Sequence, residues 1–160
     1  MPTIVISPYS KPLRNGNPNP KNYPFFSDVV TSLVQKGYEV IQVGVAGEAI
    51  LPGVSSTVFN APLSQLQELV QTSSLWISID NFFPHFAAVV CKKFGIVLWG
   101  KSDPNIFGHP ENLNLLKSRE YLKERQWEWW ESEPYTADAF VVPETVVNAV
   151  TEAVPYAYTK

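Results

Sequence analysis

One cysteine is all the thiol chemistry this chain offers. Cys91 has no second cysteine to pair with and cannot build a thiolate metal cluster. Its place in an apolar stretch marks it as a small buried hydrophobe rather than a catalytic thiol. A reducing cytoplasm is the simplest expected setting. Histidine is nearly as scarce: His85 and His109 are too few for a multi-histidine metal centre, and neither a metal nor another cofactor is expected. Only 17% of residues are charged and the formal net charge is −3, so the basic field that holds nucleic acid phosphates is missing and a DNA or RNA partner is not favoured. No apolar run reaches the roughly 18 residues of a membrane-spanning helix. The opening MPTIVISPYS lacks the cationic segment of a secretory leader, so it fits a first strand of a soluble protein. The sequence also lacks a G-x-S-x-G elbow, a P-loop and a G-x-G-x-x-G turn, leaving the common hydrolase, NTPase and dinucleotide readings without their motif.

What is present is 160 residues of 45% hydrophobic content, enough for one domain spanning 1–160 around its own core. Thr3 to Ile6, Glu39 to Val43, Thr57 to Phe59, Leu75 to Ile79 and Ile96 to Trp99 read as strands. Between them lie segments of helical period. One opens at Pro24 and stops at Gly37. A second begins with a capping box of Ser64 and Gln67, a third runs from Pro84 to Lys93, and Pro143 to Val154 closes the chain. The alternation predicts an α/β fold, a Rossmann-like open parallel sheet with helices on both faces. Lys117 to Glu131 has no clean period, and 8–24 and 104–110 are Pro-rich loops.

Open parallel sheets bind ligands at the carboxyl ends of their strands. Four loops qualify, after Ser7, Val43, Ile79 and Trp99. The first carries Lys11, Arg14 and Lys21, three cations suited to a diphosphate, although Lys11 and Arg14 read more simply as solvated. The second, Gly44 to Glu48, turns on two glycines and delivers a carboxylate that either accepts ribose hydroxyls or sits at a helix start. The third is Asp80-Asn81-Phe82-Phe83-Pro84-His85. There Asp80 caps the following helix or lines a site, and His85 contacts a phosphate or hydroxyl or is a partly buried helix residue. Trp127, Trp129 and Trp130, with Glu128 and Glu131 between them, read first as packing across the sheet end and second as a carbohydrate or partner surface.

In this order the motifs resemble the C-terminal half of glycosyltransferase family nine, the ADP-heptose:lipopolysaccharide heptosyltransferases. Ile4 to Pro8 resembles the family's opening strand, Lys21-Asn22-Tyr23-Pro24 its K-x-W-P, and Gly44 to Glu48 its acidic strand-end loop. DNFFPHFAA (80–88) resembles D-T-G-x-x-H-x-A-A, IVLWGKSDP (96–104) resembles its strand and F-G-x-T-x-P, and Val142 to Val146 resembles its final helix start. The resemblance implies half of a GT-B glycosyltransferase that binds a nucleotide sugar. It places Lys21 on phosphate, Glu48 on ribose, and Asp80 with His85 along the pocket, with Ser10, Gly44 and Asn81 beside them. Phe82 replaces the family's glycine and fills space through which backbone amides approach a diphosphate. The family's other half, which carries the acceptor site and catalytic base, has no counterpart in these residues. The expected protein is therefore completed by a second polypeptide, or is a homo-oligomer using another base such as Asp80. A non-catalytic nucleotide- or protein-binding module is the second expectation. A nucleoside deoxyribosyltransferase-like enzyme, with Asp80 or Glu48 as nucleophile, is the third.

Overall fold

A computed structural model describes residues 1–156. Strands β1 (Thr3–Ser7), β2 (Glu39–Gly44), β3 (Ser56–Phe59), β4 (Leu75–Ile79), β5 (Ile96–Trp99) and β6 (Leu113–Leu116) form one sheet in the order β3-β2-β1-β4-β5-β6. Every pairing is parallel, with Val5 opposite Ile41 on one side and Trp76 on the other. The helices are α1 (Phe26–Gln35), α2 (Leu63–Thr72), α3 (Phe83–Val89), the single turn α4 (Pro104–Phe107) and α5 (Pro143–Ala153). This is the Rossmann-like α/β fold that the alternation of segments implies.

The largely apolar runs of β1, β4 and β5, broken in β4 only by the buried Ser78, follow from burial on both faces of the sheet. Ile4, Ile6, Ile77, Ile79 and Leu98 pack into a layer with Val29 and Leu33 of α1 and Val146 and Val150 of α5. The alternate residues Val5, Trp76, Val97 and Trp99 pack against Leu66 and Val70 of α2 and Phe83 and Phe86 of α3. Each such buried aliphatic side chain contributes about 1.5–3 kcal/mol. Helix α1 stops where expected: Gly37 takes φ +93°, and the Tyr38 and Gly37 amides donate to the Leu33 and Val34 carbonyls at 3.1 and 3.0 Å.

Several boundaries differ from the sequence reading. Helix α1 begins at Phe26, two residues after Pro24. Helix α2 has Pro62 at its N-cap, so Ser64 lies inside the first turn and the expected capping box does not form. Helix α3 ends at Val89 rather than Lys93, because Lys92 turns left-handed (φ +55°) and the Lys93 amide folds back on the Ala87 carbonyl. Strand β6 was not foreseen. Between β6 and α5 the chain makes only short 3-10 turns at Arg119–Tyr121 and Ala137–Ala139. Among the described residues no helix is long and apolar enough to cross a membrane.

Candidate functional site

The chain leaves β1 toward α1 on one face of the sheet and leaves β4 toward α3 on the other, although β1 and β4 are neighbours. Such a divergence opens a crevice at the strand ends. A cavity of about 500 Å³ occupies it, lined by the loops after β1, β2 and β4. The fourth loop expected to contribute, after β5, does not reach this cavity.

Six of the seven predicted site residues line it: Ser10, Lys21, Gly44, Glu48, Asp80 and Asn81. Lys21 Nζ lies 3.2 Å from Asp80 Oδ2, with both side chains largely buried. Asp80 is thus a counter-ion to Lys21 and not the cap of α3, whose N-cap residue is Phe82. The Ser10 hydroxyl donates to the Asp80 carbonyl at 2.8 Å and fastens the β1 loop to the β4 loop. Asn81 completes that join. Its amide donates to Ser7 Oγ and the Tyr9 carbonyl, both at 3.1 Å, and accepts from Ser78 Oγ at 2.9 Å and the Phe83 amide at 3.0 Å. All four hydrogen-bonding positions of Asn81 are used within the protein, the pattern of a strut between loops.

Glu48 is held over the end of β2. Its Oε1 accepts from the Val45 amide at 2.7 Å, and a Cβ on Gly44 would overlap the same carboxylate. The loop itself is pinned by Gln42, fully buried in β2, whose side chain donates to the Ala49 carbonyl at 2.9 Å and accepts from the Leu51 amide at 2.8 Å. Tyr9, which the sequence reading passed over, also faces the cavity; burial and then the nearby Glu48 carboxylate push its hydroxyl pKa upward. Two asparagines were missed as well. Asn19 bonds the Lys21 amide and the Lys11 carbonyl, and Asn22 accepts from the Ser10 amide. They give the Pro-rich loop a fixed shape and set the position of Lys21.

The opposite wall is apolar, built from Val43, Val58, Ala61, Leu63 and Leu66. Phe82 stands at the cavity rim with 59% of its surface exposed. The site therefore offers two cations, Lys11 and Lys21, two carboxylates and the hydroxyls of Ser7, Tyr9 and Ser10 facing an apolar wall, a combination suited to a ligand with one flat apolar end and one polar, anionic end.

The seventh candidate is not brought in. His85 lies on the exposed side of α3, where its Nδ1 is 2.9 Å from Nε2 of His109. Cys91 is buried beyond the end of α3, with its thiol pKa pushed up by burial, unsuited to nucleophilic work. Among the described residues no group of three or more His, Cys, Asp or Glu side chains is placed to hold a metal ion. The packing expected of the tryptophans is met only in part: Trp130 is half-buried with Lys21 and Lys123 over its ring, and Trp127 meets Phe107 edge-on at 4.8 Å, but Trp127 and Trp129 are 79% and 64% exposed. They border a second groove of about 340 Å³, beside Lys11 and Arg14.

Neither a family model nor a curated protein sequence matches the chain. Solved structures do. ADP-heptose LPS heptosyltransferase II of E. coli superposes with a TM-score of 0.67 at 16% identity, over 95% of this chain and 46% of its own. The fold is that of one half of a heptosyltransferase. TibC, a dodecameric iron-containing glycosyltransferase of enterotoxigenic E. coli H10407, gives 0.71 at 16% identity, over 95% of this chain and 44% of its own. The E. coli heptosyltransferase WaaC gives 0.63 at 11% identity, over 94% and 44%. The chain thus spans less than half the length of the heptosyltransferases it matches and shares with that half a GT-B, Rossmann-like architecture.

Proposed function

We propose that the 500 Å³ cavity binds a nucleotide sugar. The observation that carries this is the convergence of Lys21, Glu48, Asp80 and Ser10, from three separate loops, on the switch point of the sheet. Among the structures of like fold, TibC was solved in complex with ADP-D-β-D-heptose and WaaC with ADP. In the proposed complex the base lies against Val58, Leu63 and Leu66, and Glu48 accepts the ribose hydroxyls. Lys21 exchanges Asp80 for a phosphate oxygen. Asp80, once released, faces the sugar and is the candidate base for glycosyl transfer. Transfer also needs an acceptor hydroxyl to take the sugar as the nucleoside diphosphate leaves, and the site that binds this acceptor is supplied by a partner polypeptide or by self-association.

Thermal unfolding against free nucleotides and nucleotide sugars tests this. A ligand at 100 times its Kd stabilises by about 2.7 kcal/mol, which raises Tm by about 5–10 °C for a chain of this size. Glu48→Gln should weaken nucleosides and nucleotides alike, by roughly tenfold or more, the weight of a charge-assisted hydrogen bond. Lys21→Met should weaken diphosphates while sparing nucleosides. A flat panel at millimolar ligand refutes the nucleotide reading and leaves the fold as a protein-binding module.

A further inference from the structure

The segment from Lys123 to Pro134 inverts the usual order of burial. Lys101 and Lys123 are 6% and 8% exposed, whereas Trp127 and Trp129 stand in solvent. Lysine is rarely buried unless paired, and tryptophan is a large source of burial energy. The lysines are paired. Lys101 Nζ donates to Glu133 at 3.0 Å and to the Pro134 carbonyl at 2.7 Å, while Lys123 Nζ donates to the Arg125 and Glu128 carbonyls. Gln126 ties the segment down further, donating to the Lys101 carbonyl and accepting from the Asp103 amide at 2.8 and 2.9 Å. The loop is thus held by its polar side chains and by the half-buried Trp130 beneath Lys123, while Trp127, beside Phe107, and Trp129 leave most of their surface in solvent.

The groove they border adjoins the larger cavity, because Lys11, Pro12, Asn19 and Lys21 line both. Arg14 covers Trp129 from one side, 4.3 Å from the ring centroid, and pairs with Glu131 at 3.8 Å. Glu128 pairs with Arg125 at 3.2 Å, and like Glu131 it keeps further lone pairs to accept hydrogen bonds from hydroxyls. Flat apolar faces beside carboxylates match a pyranose ring, whose axial C–H groups stack on indole while its hydroxyls donate outward.

We propose that the Trp127–Glu131 groove is a pyranose-binding subsite, filled either by the sugar of a nucleotide sugar or by a ring of a free glycan. Its link to a donor rests on the nucleotide reading of the neighbouring cavity; its link to a free glycan does not. The test titrates the full chain with ADP and UDP, with ADP-glucose and UDP-glucose, and with maltotetraose and chitotetraose, following tryptophan fluorescence. Trp76 and Trp99 are buried and supply a constant background. Calorimetry then compares Trp127→Ala, Trp129→Ala and Trp129→Phe, all at exposed positions, with far-UV circular dichroism confirming the fold.

The expected result is that the alanine variants lose about fivefold in affinity for a sugar-bearing probe, with Trp129→Phe retaining most of it and ADP and UDP unchanged. Tryptophan dependence confined to nucleotide sugars assigns the donor's ring, and dependence with a tetrasaccharide assigns a glycan. Nucleotide binding with no tryptophan-dependent gain from any sugar overturns the subsite and spares the cavity reading. Tryptophan-dependent tetrasaccharide binding without nucleotide binding does the reverse. No tryptophan-dependent sugar binding by any probe overturns the subsite outright.

Discussion

Replacing Asn81 by alanine deletes four hydrogen bonds, two that tie the end of β4 to Ser7 and Tyr9 at the end of β1 and two, to Ser78 and Phe83, within the turn from β4 to α3. At about 1 kcal/mol for each bond, the upper bound is near 4 kcal/mol. Two features reduce it. The Ser78 hydroxyl keeps contacts with the Ser7 and Ile79 carbonyls at 3.3 and 3.1 Å, and water reaches the half-buried space to satisfy part of what remains. A loss of about 2–3 kcal/mol is expected, a sizeable share of the roughly 5–15 kcal/mol that stabilises a typical protein. Equilibrium urea unfolding reads it directly: with an m value of about 2 kcal/mol/M, the midpoint should fall by about 1–1.5 M while m is unchanged. A midpoint shift below about 0.3 M would refute the strut. It would return Asn81 to the ligand-contacting set, where its alanine variant would lose nucleotide affinity and keep its stability.

Gly44→Ala should displace the Glu48 carboxylate and strand the Val45 amide. Its loss of nucleotide affinity, measured by calorimetry, should match that of Glu48→Gln and should not add to it in the double variant. The hydrogen bonds from Arg119 outweigh burial and hold the Asp103 carboxyl below the usual aspartate range. Its stabilisation is complete above the ordinary value and is lost as pH falls through the lower folded one. Urea midpoints at about pH 7 and pH 3 should therefore differ less in Asp103→Asn than in the parent; equal differences refute the assignment. Cys91 should resist iodoacetamide in the folded protein and react on unfolding, followed by mass spectrometry; complete labelling of the native chain would show the thiol to be accessible.

The strands at the centre of the sheet were legible because burial on both faces demands largely apolar runs rich in β-branched residues, which β1, β4 and β5 supply. The edge strand β6 was not: only one face of an edge strand is well covered, and Leu113-Asn114-Leu115-Leu116 follows a polar loop without a β-branched residue. The lining of the candidate cavity was legible where polar residues sit at strand ends, as with Lys21, Glu48 and Asp80, and illegible where a residue's part depends on its partners. Nothing in the sequence tells that Asn81 spends all its bonds on the protein, or that His85 faces away from the cavity. The exposure of Trp127 and Trp129 was missed for a related reason. Apolar character argues for packing, but the buried places beneath that loop are occupied by Lys101 and Lys123.

That exchange separates two tasks that most loops combine. The shape of 123–134 is written in Lys101, Lys123, Gln126 and Glu133, while the surface it presents is written in Trp127, Trp129 and their acidic neighbours. Mutation can therefore sample new faces at the presenting positions without first having to preserve a backbone. What this groove recognises is free to drift, or to be redesigned, while the scaffold beneath it stays as it is.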